Sequence, residues 1–205
     1  MKNMKYVLTG IVALFVVVLV FSCASTGGSG GGEEFVNPGY RWNFDDPEAG
    51  TAGWVVVPEE FWAYKGPAEL SRDDTTFGRP MLRFDVDFTD YKGVDWSEPK
   101  IRYYFEEPFE MRGLSNFSFD FYYNPQFSSS GHFKSKIITL AGTRTRMDDV
   151  TGEINPKEEE GDYLKATISF RARRYTGTMD SIVLSIAGYM TDYKGPLFFD
   201  NLRLE

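Results

Sequence analysis

From Leu82 to Phe88 every second residue is apolar: Leu82, Phe84, Val86 and Phe88 alternate with Arg83, Asp85 and Asp87. A period of two places the apolar side chains on one face of an extended strand and the charges on the other. The alternation recurs at Phe117, Phe119, Phe121 and Tyr123 against Ser118, Asp120 and Tyr122. It recurs again at Ile168, Phe170 and Ala172 against Thr167, Ser169, Arg171 and Arg173. Such strands are stable only when the apolar face is covered, and no stretch of the chain carries a helical period that would cover it. Further strands are expected at residues 40–44, 54–57, 101–105, 134–141, 182–187 and 197–204. About ten strands of this kind bury themselves as two packed sheets. The expected fold is therefore an all-β sandwich over residues 35–205, with Trp54 in its core.

The first residues are of another kind. Met1, Lys2 and Lys5 precede an apolar run at residues 7–21, broken only by Thr9 and Gly10, and small residues follow at Ser22, Cys23 and Ala24. This is the pattern of a secretion signal. The run is about fifteen residues long, short of the roughly twenty that a helix needs to cross a bilayer. Val20-Phe21-Ser22-Cys23 resembles the bacterial lipobox, which implies cleavage before Cys23 and lipidation of that residue. The expected organisation is a signal peptide at 1–22, a lipidated Cys23 with a flexible linker to residue 34, and the β domain at 35–205. Residues 25–32 read STGGSGGG, a coil that serves as a tether. The expected location is the cell envelope, with the protein secreted and lipid-anchored to the outer membrane or cell surface; Ala24 lacks the aspartate of inner-membrane retention signals.

Cys23 is the single cysteine of the 205 residues, so disulfides are not available and apolar burial or a bound metal must hold the exported domain. The whole chain carries a formal charge of −8, and loss of Lys2 and Lys5 with the signal takes it to −10. That charge argues against nucleic acid and anionic lipid as partners and suits neutral polymers and cations.

Residues 43–54, Asn-Phe-Asp-Asp-Pro-Glu-Ala-Gly-Thr-Ala-Gly-Trp, resemble the opening of many carbohydrate-binding modules. Residues 193–204, Tyr-Lys-Gly-Pro-Leu-Phe-Phe-Asp-Asn-Leu-Arg-Leu, are similar to the closing strand of the same group, which includes mannanase-attached modules and family 11 glucan-binding modules. The resemblance implies a galactose-binding-domain-like jelly roll whose first and last strands lie together, bringing Asp45 near Asp200. It also implies a structural Ca²⁺ held by Asp45, Asp200 and a loop acid, Asp73 or, as the preferred candidate, Asp74; hard oxygen donors suit that ion. The stretch Phe170-Arg171-Ala172-Arg173-Arg174-Tyr175 is similar to the family 11 segment that lines a glucan cleft. Arg173 matches its arginine, Tyr175 lies beside it, and Arg174 falls where the family has an aspartate.

A polysaccharide presents flat, weakly apolar ring faces edged by hydroxyls, so its receptor needs exposed aromatic rings and a few planar polar groups. Tyr104 and Tyr122 fall on the solvent faces of their strands, and Trp62 and Trp96 lie in loop-like acidic stretches. Trp96, Trp62, Tyr104 and Tyr175 are the candidate platforms; Arg173, with Arg171 as a weaker alternative, is the candidate polar group. The acidic stretch at 144–162 reads either as a solvated excursion or as a lip over a binding face. Thirty acids make chance carboxylate pairs common, and His132 is the only histidine, with no nucleophile elbow or histidine metal cluster beside it. The expectation is a non-catalytic, surface-anchored protein binding a mannan- or glucan-type polysaccharide. An envelope protein-interaction jelly roll is the alternative, and a hydrolase or lyase the remoter one.

Overall fold

The computed structural model describes residues 37–114, 116–141, 144–145, 152–171 and 177–205. The signal segment, Cys23, the tether, Arg173 and Tyr175 lie outside the described residues.

Two antiparallel sheets make a β-sandwich. Sheet A contains β1 (Tyr40–Arg41), β3 (Ala68–Asp73), β4 (Met81–Asp87), β6 (Asn116–Tyr123), β10 (Glu158–Glu160), β11 (Tyr163–Arg171) and β13 (Lys194–Leu204). Its order is β10-β11-β6-β13-β4-β3, and β1 lies against the C-terminal end of β13. Sheet B contains β2 (Trp54–Val56), β5 (Lys100–Glu110), β7 (His132–Ala141), β8 (Arg144–Thr145), β9 (Gly152–Glu153) and β12 (Thr178–Tyr189). It runs β2-β5-β12-β7, with β8 and β9 both paired to β7. The remaining regular structure among the described residues consists of single 3-10 turns.

The alternating residues face inward as their period requires. Leu82, Phe84 and Val86 of β4, Phe117, Phe119 and Phe121 of β6, and Phe170 of β11 meet Trp54, Ile101, Ile182, Leu184 and Ile186 of sheet B in one buried cluster. Two irregularities keep long strands in phase with that core. In β13 the register slips between Asp200 and Arg203, with Asn201 at φ 52°, so Leu202 and Leu204 point inward after Leu197 and Phe199. In β12 a slip between Met179 and Ser181 lets Met179 and Ile182 both face the core. A bulge adds one residue and reverses the parity of everything after it.

The first and last strands do lie together: Tyr40 pairs with Leu204, Arg41 with Arg203, and the Trp42 amide donates to the Leu202 carbonyl at 3.1 Å. Two expectations need correction. Residues 68–73 form a strand that their composition does not announce, so Asp73 ends β3 rather than lying in a loop. The stretch expected as a long loop supplies β8, β9 and β10, and Glu158–Glu160 is an edge strand of sheet A paired with Tyr163–Lys165.

Candidate functional site

The outer face of sheet A is closed by its own side chains. Met81, Tyr122 and Phe198 are buried there beneath Phe77 and Tyr163. Over them Arg79 donates two hydrogen bonds to Glu160, at 2.5 and 3.0 Å, and one to the Tyr122 hydroxyl at 3.0 Å. The Glu160 pairing, more than the opposing cost of burial, raises the Arg79 pKa, so its charge is permanent. Arg83 grips Asp85 with two bonds, at 2.7 and 2.8 Å. Tyr122 thus lies on an outward face, as its strand phase indicates, but under a lid, and burial pushes its hydroxyl up in pKa.

The outer face of sheet B is built differently. In β5 the inward Ile101 and Tyr103 alternate with outward Lys100, Arg102 and Tyr104. Cross-strand register puts Ser185 opposite Lys100, Val183 opposite Arg102 and Ser181 opposite Tyr104. These small residues of β12, with Ala187, are buried and make a low floor. Val55 of β2 lies opposite Arg102 on the other side and is exposed. The short, buried side chains of β12 thus lie beside the longer Lys100, Arg102 and Tyr104 of β5 and make a step on this face.

Aromatic rings stand along it. Trp62 is 64% exposed and Tyr104 52%. Trp62 and Glu98 exchange main-chain hydrogen bonds of 3.1 and 2.8 Å, and Ser97 and Gly188 exchange bonds of 3.0 and 2.8 Å, which sews the 95–98 segment between Trp62 and β12. Gly188 leaves room for the core beneath it, since a Cβ there would come within 2.6 Å of the Phe88 ring. Trp96, half-buried, donates its indole N–H to the Glu98 carboxylate. The Lys134 ammonium lies 5.4 Å from the centre of the Trp96 ring and 4.6 Å from that of Tyr189, and His132 packs on Tyr189 at 4.8 Å.

Two cations on this face are paired with acids. Glu98 is 2% exposed and sits 3.7 Å from the Lys100 ammonium and 3.4 Å from the Ser185 hydroxyl. Arg102 pairs with Glu60 and lies 5.3 Å over the Tyr104 ring, donating to its hydroxyl at 3.2 Å. Polar groups held between ring faces match a ligand that offers hydroxyls and apolar faces.

Three of the candidate platforms, Trp62, Trp96 and Tyr104, therefore share one face. Arg171 does not join them, since it pairs with Asn116 at the end of β11 in sheet A, and Arg173 and Tyr175 lie outside the described residues. Sequence reasoning missed Glu98, Lys100, Arg102, Lys134 and Tyr189. The phase of β5 carries a signal for Lys100 and Arg102, which alternate with its core residues; no local pattern distinguishes Glu98 from the other acids.

Asp45 and Asp200 line a common cleft of about 270 Å³ together with Trp42, Asn43, Arg79 and Asn201. Asp200 accepts from the Asn201 amide at 2.7 Å and from Arg79 at 3.3 Å. The third expected ligand is elsewhere: Asp74 pairs with Arg72 at 2.9 Å, and Asp73 accepts from the Thr75 and Thr76 amides at 2.9 and 2.8 Å. Among the described residues no three acidic, histidine or cysteine side chains converge as a metal site. Two carboxylates flanked by asparagine amides are hard oxygen donors of the kind Ca²⁺ takes. Asp45 and Asp200 offer donors of that kind, with Arg79 as a cation facing Asp200 in the same cleft, and Asp74 is paired with Arg72.

With this geometry the chain resembles solved carbohydrate-binding modules. It is 21% identical to the CBM27-1 module of Caldicellulosiruptor saccharolyticus, solved in complex with mannohexaose, with a TM-score of 0.61 over 83% of this chain and 98% of that one. It is 16% identical to a non-crystalline cellulose specific module, CBM28, with a TM-score of 0.58 over 75% and 88%. A third, TmCBM27, described for specific mannan recognition, matches at 16% identity and a TM-score of 0.55 over 80% and 94%. No protein-family profile and no curated protein matches the sequence. The fold is a jelly-roll β-sandwich, shared with these three modules.

Proposed function

We propose that this chain is a surface-anchored, non-catalytic lipoprotein that binds a neutral β-linked polysaccharide of the mannan or glucan type along the outer face of sheet B. The observation that carries the reading is the gathering of Trp62, Trp96 and Tyr104 on one face above the buried serines and alanine of β12. The solved neighbours are described as modules for mannan and for non-crystalline cellulose, which supports a sugar ligand of that class. Compensation of Lys100 by Glu98 and of Arg102 by Glu60 supports an uncharged one.

Glycoside hydrolysis uses two carboxyl groups, one to protonate the leaving oxygen and one to attack or to activate water. Of the acids beside these rings, Glu98 accepts from the Trp96 indole and Glu60 pairs with Arg102, which supports a binding role. Migration through gels containing mannan, glucomannan, mixed-linkage glucan or a polyanionic glycan tests the reading. Retardation is expected in the neutral gels and not in the anionic one; unretarded migration in all of them would sink it.

The anchor rests on the lipobox-like residues 20–23 and the tether at 25–32. Several acyl chains, at about 0.8 kcal/mol per buried methylene, make attachment effectively permanent. Cys23→Ser is expected to abolish lipid labelling and release the protein from the membrane fraction, and unchanged detergent partitioning would contradict the anchor.

A further inference from the structure

Glu98 meets two of the three candidate platforms and the floor beside them. Its main chain holds Trp62 through two hydrogen bonds, and its carboxylate accepts the Trp96 indole N–H. The same carboxylate stands against Lys100 and Ser185 on the floor between the platforms. A carboxylate buried to 2% exposure persists only when such partners compensate the loss of water. Those partners in turn fix its orientation, and a charge-assisted bond to the indole N–H fixes where that edge of the ring lies. The Lys134 ammonium over the Trp96 ring face adds a second restraint.

We infer that Glu98 is the positioning residue of this face: its carboxylate holds the Trp96 indole in place beside the main-chain segment that carries Trp62 before ligand arrives, so that a sugar chain meets a ring already ordered. Its effect on sugar affinity rests on the function proposed above, while its hold on the indole does not. Platforms ordered in advance lose less side-chain freedom on binding, and affinity gained this way disappears when the restraint is removed, although both rings remain.

The test uses the full chain in detergent. The four tryptophans give four indole N–H resonances in a ¹H–¹⁵N spectrum, and Trp96→Phe identifies the one that belongs to Trp96. In Glu98→Ala the Trp96 resonance is expected to move to the position of a solvated indole and to exchange faster with solvent, with the Trp42 and Trp54 resonances unmoved. Affinity for a neutral β-linked hexasaccharide is expected to fall at least tenfold. Glu98→Gln, which keeps an oxygen acceptor for the indole, is expected to stay within about threefold of the parent. A Trp96 resonance unchanged in Glu98→Ala overturns the inference, and so does a moved resonance with unchanged affinity. Movement of the Trp42 and Trp54 resonances too would mark Glu98 as a folding residue and also overturn it. If the parent binds no sugar, the proposed function fails, and the indole resonance alone still decides whether Glu98 holds Trp96.

Discussion

Arg79 and Glu160 face each other across the outer surface of sheet A in a two-pronged ion pair, with the Tyr122 hydroxyl as a third acceptor of the same guanidinium. Glu160 belongs to the edge strand β10 and Arg79 precedes β4, so the pair spans the sheet and covers the aromatic cluster beneath. Sheet B carries no comparable cover over its outward aromatics Trp62 and Tyr104 among the described residues. This asymmetry supports the proposal that sheet B carries the binding face.

Removing the cover separates the two roles. Arg79→Ala leaves the buried Tyr122 hydroxyl and the Glu160 carboxylate without this partner, and a loss of about 1 to 2 kcal/mol is expected, above the 0–1 of an isolated surface pair. Urea unfolding measures it. Sugar affinity of the variant is expected to match that of the parent, because Arg79 lies on the opposite sheet.

Calcium is expected to raise the melting temperature through Asp45 and Asp200, since an ion bound only by the folded state stabilises it by about 2.7 kcal/mol at a hundredfold excess over Kd. Asp45→Asn and Asp200→Asn are expected to remove the increment, whereas Asp74→Asn is expected to leave it intact. Thermal unfolding with Ca²⁺ and with chelator makes the comparison, and curves indifferent to both would reject the ion.

The β4–β13 register brings Asp87 opposite Lys194, and their charges lie 2.8 Å apart. Burial opposes ionisation of Asp87, but bonds from Lys194 and Thr89 outweigh it and hold the carboxyl at about 2. A depressed carboxyl contributes stability that is present above its unfolded pKa, roughly 3.9, and is lost as pH falls through its folded value. Lys194 is well exposed, so solvent screening keeps the contribution small. Asp87→Asn is expected to be less stable than the parent at pH 7 and nearly equal to it near pH 2, as read from denaturant midpoints.

Much of the sandwich was legible because its strands obey a period of two: Phe84 and Val86, and Phe119 and Phe121, take the faces that their alternation dictates. The bulges were not legible. Nothing local tells Leu202 to face inward after Phe199; the slip at Asn201 answers to β6, β4 and β1 around β13. Glu158–Glu160 was also hidden, since three glutamates form a strand only where Lys165 and Arg79 meet them from afar. Ring chemistry and strand phase singled out Trp62, Trp96 and Tyr104 as candidates, and the three lie on one face. Glu98 was hidden because its role comes from pairing with Trp62 and proximity to Ser185, both long-range.

Isothermal titration of the chain from Glu33 onward with mannan, glucomannan and mixed-linkage glucan tests the central claim most directly. The parent is expected to bind at least one of them with little dependence on salt. Trp96→Ala is expected to weaken binding by about 1 to 3 kcal/mol, by analogy with loss of a base-stacking ring, and Trp62→Ala by less. Trp54→Ala, removing a buried core ring, is expected to cost about 3 to 5 kcal/mol of stability instead. No heat with any of the three polysaccharides, from a protein shown to be folded, would contradict the account and favour an envelope protein as the partner.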